Sequence, residues 1–224
     1  MCGRFTLSTP AARLMESFQV TEFPPLKPRL NIAPTQSIVC IRQNATGERE
    51  ATSMRWGLIP FWAKDLSIGN RLINARAETV AEKPSFRKAF ASRRCLIPAD
   101  GFYEWEKLPD RKKQPWLMQL ADGKPFAFAG LWETWKPRPA AASSDLGEWL
   151  LSCTILTTSA NADVMPVHDR MPVFVLPENY GTWLSNDASV GQLQTLTEPL
   201  KDGLLQRRPV SSVINNPRHE VTEI

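Results

Sequence analysis

The chain has 224 residues, 27 Lys plus Arg against 23 Asp plus Glu, and a formal net charge of +4. A fold of this length hides roughly 70–75% of its unfolded surface and needs no covalent staple. Cysteines at 2, 40, 95 and 153, two histidines and no C-x-x-C pair suggest neither a zinc site nor a disulfide framework, and no apolar run approaches the ~18 residues of a membrane span.

The opening MCGRFTLST lacks a signal-peptide core, so the expected setting is reducing and cytoplasmic. Thr9-Pro10 followed by Leu14 and Phe18 predicts a first helix capped at Thr9, with proline at its first position. Ser37–Arg42 and Ala51–Trp56 are β-type runs around Asn44-Ala45-Thr46-Gly47, a hairpin signal. If 73–79 is extended, Asn74, Arg76 and Glu78 project together. Ser85–Ser92, with Phe86 and Phe90 four apart, reads as helical.

Short apolar or alternating runs follow at Cys95–Pro98, Phe102–Glu106, Pro115–Leu120, Phe126–Trp132, Trp149–Thr157 and Pro172–Leu176. A turn at 121–124 and a surface loop at 136–144 separate some of them. Helices near Glu178–Leu184 and Ser189–Leu196 precede a last strand around Val210–Ile214. Many strands, few helices and no βαβ alternation imply an α+β fold in one domain over 1–224. Its sheets are expected to be mostly antiparallel around a barrel-like core, with the helices peripheral.

Charge is uneven along the chain. Residues 71–94 carry seven basic side chains (Arg71, Arg76, Lys83, Arg87, Lys88, Arg93, Arg94) against Glu78 and Glu82, and Lys107 with Arg111–Lys113 forms a second cluster. Such clusters suit a phosphate backbone, or simply a solvated face.

Removal of Met1 would leave Cys2 with its α-amine and thiol on one residue, a 1,2-aminothiol. An amine titrating near ~7.7–8.0 and a thiol near ~8.5 are both nucleophilic at neutral pH, and Arg4 is expected to lower the thiol further. With an aldehyde the amine forms an imine, and the thiol then closes a five-membered thiazolidine intramolecularly. The alternative for Cys2 is a small buried hydrophobe.

In Asp100–Glu106 an extended strand puts Phe102 and Glu104 on one face and Tyr103 and Trp105 on the other. Glu104 is therefore expected to be buried, with a raised pKa suited to proton transfer near neutrality; an ion-paired structural glutamate is the alternative. His168 in VHDRMP is a candidate proton shuttle or a structural donor. Asn74 offers an amide to orient a polar ligand and Arg76 a guanidinium for a phosphate. RWGLIPFW at 55–62 offers rings of which one or two could stack on unpaired bases, the rest being core.

Together these stretches resemble the SRAP family, named for SOS response-associated peptidases and better described as abasic-site processing proteins. The resemblance rests on MCGRF at 1–5, NIAPT at 31–35, RWGLIPFWA at 55–63, INARAET at 73–79, CLIPADGFYEW at 95–105, KQP at 113–115, FAGLWE at 128–133 and HDRMPV at 168–173. It implies that Cys2, freed of Met1, captures the ring-opened aldehyde of an abasic site in single-stranded DNA. By the same resemblance Asn74 orients the N-terminal residue and deoxyribose, Glu104 handles protons, and His168 assists ring opening or binds a phosphate. Arg4 and Arg76 become phosphate contacts, and Trp56 and Pro34 lie near the strand or a single-strand/duplex junction. A weak lyase activity and removal of its own Met1 are further implications. The protein is expected to act as a monomer, with no metal, cofactor or membrane, at the nucleoid when bound. One departure is Arg208, which stands where the family often has a histidine before Pro209-Val210-Ser211.

Two other classes compete. Glutaminase domains of amidotransferases also begin Met-Cys-Gly, but their His-Arg-Gly-Pro and Asn-Gly-Glu blocks have no match here. A non-catalytic single-strand binder would keep the basic and aromatic features and make Cys2 replaceable.

Overall fold

The computed structural model describes residues 2–137 and 149–217. Most of the loop expected at 136–144 lies outside the described residues. In chain order the elements begin with β1 (Phe5–Leu7), α1 (Ala11–Phe18), β2 (Arg29–Ile32), β3 (Ser37–Gln43), β4 (Arg49–Trp56) and β5 (Asn74–Arg76). After α2 (Arg87–Ser92) come β6 (Arg94–Ala99), β7 (Gly101–Lys107), β8 (Lys113–Leu120), β9 (Phe126–Trp135) and β10 (Leu150–Ser159). The chain closes with β11 (Arg170–Pro172), β12 (Phe174–Val175), α3 (Tyr180–Leu184), α4 (Val190–Thr195) and β13 (Leu205–Pro209).

Two sheets result. One has five strands in the order β13-β8-β7-β1-β2, and the other follows β11-β10-β4-β3-β6-β9-β12. In the second, β10 also pairs with β9, so β3, β4, β6, β9 and β10 close into a five-stranded barrel without a free edge. The pairings are antiparallel except that β10 runs parallel to β4 and to β5. This is the expected α+β architecture, with the barrel present.

The hairpin expected from Asn44–Gly47 forms as read, with β3 and β4 in register from Ser37↔Arg55 to Gln43↔Arg49. The Asn44 side chain accepts from the N–H groups of Thr46 and Glu48, which builds the turn that the sequence signals. One core runs through both sheets. Phe5 of β1 meets Trp56 of β4 edge-on at 5.3 Å and Phe128 of β9 at 5.8 Å.

Three expectations need correction. Residues 210–214 are not a strand: β13 ends at Pro209, and Val210, just past it, and Ile214, in a 3-10 turn at Ser212–Asn215, pack against Tyr103 and Leu117. Glu78 does not share an extended run with Asn74 and Arg76, because the chain turns into a 3-10 helix at Ala77–Thr79. Thr9 is not the cap of α1; its hydroxyl donates to Asp100 Oδ1 at 2.7 Å and Pro10 occupies the cap position.

Candidate active site

Strand β1 ends its pairing with β7 at Phe5↔Phe102, and the Tyr103 N–H continues the ladder to the Arg4 carbonyl at 3.0 Å. The residues before Phe5 are thereby laid against the DGFYEWE strand. Cys2 is fully buried there, in the core shared by both sheets. From the other sheet comes Asn74, at the start of β5, whose Nδ2 donates to the Cys2 carbonyl at 2.8 Å. Its Oδ1 is buried without a hydrogen-bond partner among the described residues, which leaves an acceptor at the site.

Glu104 sits on β7 opposite Trp116 of β8 and is 3% exposed. The alternation read from the sequence holds, since Phe102 enters the main core while Tyr103 packs on the other face of the sheet. Burial raises the Glu104 carboxyl above its ordinary range, and the negative charge of Asp169 pushes the same way. Burial also pushes the Cys2 thiol well up, and Glu104 adds to that rise. The expected lowering of this thiol by the Arg4 guanidinium is not seen: burial and Glu104 outweigh the opposing pull of the α-amine, and Arg4 reaches the thiol only through its backbone carbonyl.

His168 closes a turn in which its N–H bonds the Val164 carbonyl at 3.0 Å, just before β11. Its Nδ1 accepts the Arg170 backbone N–H at 3.0 Å and lies 2.9 Å from Asp169 Oδ1. An Nδ1 that accepts is unprotonated, so the neutral ring carries its proton on Nε2, and the Asp169 contact becomes an ion pair only on protonation. Burial lowers this imidazole, Lys107 and Arg170 reinforce the fall, and Asp169 opposes it.

Arg170 Nη1 and Nη2 grip the two Glu78 oxygens at 2.5 and 3.0 Å, and Nη2 also donates to the Thr157 carbonyl at 2.7 Å. Strand β10 lies between β5 and β11 here, with Thr157 facing Arg76 on one side and Pro172 on the other.

The expected nucleic-acid residues divide. Arg76 is exposed on β5, and Pro34 is half-buried beside Thr35, whose φ of 72° is fixed by its N–H bond to the Trp56 carbonyl at 2.8 Å. Arg4 spends its donors on Asn31 Oδ1 at 2.7 Å and on the Ile214 and Asn215 carbonyls at 2.6 and 3.2 Å, which ties the C-terminal turn to the site. Trp56 is fully buried, with Nε1 donating to the Ile73 carbonyl at 2.9 Å, so no ring face is open to a base. The rings of that motif that do face solvent are Phe61 and Trp62, 52% and 44% exposed. They follow a turn at Gly57, where φ is 127° and a Cβ would meet the Gly69 carbonyl oxygen at 2.5 Å, so only glycine fits.

Within the basic segment Arg94 is buried on the carbonyls of Phe90, Trp183 and Ser185, and Arg93 pairs with Glu133 at 2.7 Å. The other five, Arg71, Arg76, Lys83, Arg87 and Lys88, are exposed, and the Lys88 ammonium lies 4.6 Å from the Phe61 ring centre. Arg208 is exposed on β13 opposite Leu117. Among the described residues no group of three or more His, Cys, Asp or Glu side chains is arranged to hold a metal ion, and no helix is long and apolar enough to cross a membrane.

The sequence model of the family described as "SOS response associated peptidase (SRAP)" matches residues 1–217. The chain belongs to the SRAP family. It is 42% identical to the abasic site processing protein YoqW of Bacillus subtilis over 228 residues, covering 100% of this chain and 98% of that one. The abasic site processing protein HMCES of Xenopus tropicalis is 29% identical over 80% of this chain, which matches 57% of that longer protein. Among solved structures, a Bordetella bronchiseptica protein superposes with TM-score 0.79 at 29% identity, covering 94% of this chain and 100% of that one. A Bacteroides thetaiotaomicron protein superposes with TM-score 0.85 at 23% identity over 97% of each chain, a likeness of fold. For this SRAP chain the Cys2, Asn74, Glu104 and His168 positions come from four separate elements or turns.

Proposed function

We propose that this SRAP chain processes abasic sites in DNA, and that Cys2 captures the lesion covalently once Met1 has been removed. The observation that carries the reading is the Asn74 amide holding the Cys2 carbonyl at 2.8 Å next to a buried carboxyl with a raised pKa. Membership of the family and the printed names of the relatives supply the substrate class.

The sugar of an abasic site opens to an aldehyde. The Cys2 amine adds to that carbon to give a carbinolamine, and protonated Glu104 gives its proton to the hydroxyl, which leaves as water. The resulting iminium faces the neighbouring thiol. Glu104, now a carboxylate, takes the S–H proton, and sulfur bonds to the former aldehyde carbon to close the thiazolidine. Glu104 ends protonated, as it began, so one group serves both half-steps. A buried thiol that is neutral at pH 7 needs such a local base, and the same neutrality argues against Cys2 as a ready-made protease thiolate.

His168, neutral with Nε2–H outward from its Arg170 bond, assists sugar opening or donates to the adjacent phosphate. Arg76, with Arg71, Arg87 and Lys88, tracks the single-stranded backbone, and Phe61 and Trp62 supply stacking faces beside it, suited to a single-strand/duplex junction. The test is incubation with a single-stranded oligonucleotide bearing one abasic site. A heat-stable protein–DNA band that Cys2→Ala abolishes is expected. Equal crosslinking by Cys2→Ala, or full crosslinking by protein whose intact mass retains Met1, overturns the reading.

A further inference from the structure

We propose that Glu78 and Arg170 form a positioning clamp for the reaction, setting the Asn74 strand against the His168 turn. The inference rests on the reading of Cys2 as the capturing residue and adds two residues that touch neither substrate nor Cys2.

The geometry is a closed circuit across β10. Asn74, Ala75 and Arg76 pair with Ile155, Leu156 and Thr157 on one side of that strand, and Arg170 pairs with Ser159 on the other. Only three residues of β5 are held by this ladder, and the chain turns away immediately after it. The bidentate Glu78–Arg170 pair crosses over the end of β10 at that point, anchored in the middle by Arg170 Nη2 on the Thr157 carbonyl. The Thr157 hydroxyl in turn donates to the Ala75 carbonyl at 3.5 Å. The Arg170 side chain is 15% exposed and that of Glu78 50%, so the guanidinium end is shielded while the carboxylate end meets water, and what sets the pair apart from a loose surface bridge is its bidentate geometry and the Thr157 anchor.

Each end of the clamp is next to a reacting element. Asn74 lies four residues before Glu78 and binds the Cys2 carbonyl; His168 lies two before Arg170 and accepts its backbone N–H. A fork-to-fork pair admits one geometry, so it fixes distance and angle between the amide that holds the nucleophile and the imidazole opposite. Glu78 Oε2 and Oε1 are both engaged, which leaves this carboxylate shaped for the guanidinium and not for a ligand.

A purely electrostatic role predicts the opposite sign. Glu78 is a negative charge beside exposed Arg76, and neutralising it should tighten DNA binding and speed capture. The clamp predicts that Glu78→Gln slows adduct formation at saturating DNA by at least roughly tenfold, since small misplacements of reacting groups cost about that much or more. Affinity for a lesion-free single strand stays within about twofold of wild type or improves. Glu78→Asp, one methylene short, falls between them and serves where the amide variant does not fold. The exchanged pair Glu78→Arg with Arg170→Glu recovers rate relative to either single variant.

A Glu78→Gln protein with wild-type rate at saturation overturns the clamp, as does an exchanged pair no faster than the single variants. Wild-type protein that forms no adduct overturns the reading of Cys2 instead. In that event hydrogen exchange decides the clamp separately: Glu78→Gln must accelerate exchange at 74–76 and leave β13 unchanged, and uniform or absent acceleration rejects it.

Discussion

Asn74 and Cys2, 72 positions apart, are joined by one 2.8 Å hydrogen bond that ties the two sheets together at the end of the chain. The amide arrives on β5, a strand of the sheet that closes into the barrel, and the carbonyl it holds belongs to the residue that leads into β1 of the other. A neutral bond of this kind contributes about 0.5–1.5 kcal/mol. Asn74→Ala should therefore slow single-turnover adduct formation by roughly 2–10-fold, read from gel-quantified crosslinking at saturating DNA. Asn74→Asp should be slower than Asn74→Ala, because it aims carboxylate lone pairs at a carbonyl oxygen.

Glu104 illustrates a conflict between stability and chemistry. Its folded carboxyl is raised, so the native state holds that proton more tightly than the unfolded chain does. The stability from this group is complete below the unfolded carboxyl value near ~4.3 and is lost as pH rises through the raised folded value. Glu104→Gln removes the loss. Its Tm should match wild type near pH 4 and exceed it at pH 7, while crosslinking at pH 7 falls by roughly 10²–10⁴-fold. Thermal melts at the two pH values, run beside the adduct assay, check both signs; a variant less stable at pH 7 than at pH 4 relative to wild type contradicts the assignment.

Much of this arrangement is legible in the sequence where period decides it. Strict alternation in Asp100–Glu106 places Glu104 inward, and the Asn44–Gly47 turn fixes the β3–β4 register. Alternation would also have found Trp56, because Met54 and Trp56 share one face of β4 and are both buried. A cluster of rings conceals that parity; Phe61 and Trp62 are exposed because they lie past the Gly57 turn, off the strand. Closure of the barrel by β9 and β10 is a pairing between strands separated by a long connection, and local pattern carries no register for it. The last strand lies at Leu205–Pro209 and not at 210–214 for a similar reason. Its polar residues 206–208 are held by an edge ladder to β8, whereas apolar Val210 and Ile214 pack on Tyr103 and Leu117 from beyond the strand's end.

The His168 imidazole should report the balance of charge at the site. Its folded value is lowered, first by burial, so its stability contribution is present above the unfolded value near ~6.5 and lost as pH falls through the lowered one. Asp169 is the neighbour that favours the cation, and it also raises Glu104. Asp169→Asn should move His168 titration, followed by imidazole NMR shifts, to lower pH, and move the acid-to-base transition of Glu104 down as well. A rise in the His168 midpoint would mean that the 2.9 Å contact is not the interaction felt by the ring.

The two tryptophans of RWGLIPFW should separate by what they disturb. Trp56 is wholly enclosed, edge-on to Phe5 and bonded through Nε1 to Ile73, so Trp56→Ala opens a core cavity and costs about 3–5 kcal/mol of folding stability. Trp62 is 44% exposed and carries no such bond among the described residues, so Trp62→Ala should change stability by no more than about 0.5 kcal/mol. If its ring stacks on a base, DNA affinity falls by about 1–3 kcal/mol, close to 5–150-fold. The salt slope stays as in wild type, because stacking releases no counterion, whereas Arg76→Ala should shallow it by about 0.7 for a single strand. Denaturant melts and binding titrations at several salt concentrations distinguish the two side chains. Weakened binding by Trp62→Ala with a shallower slope would instead indicate that the loop acts by holding cations such as Lys88 in place, and the stacking assignment would fall.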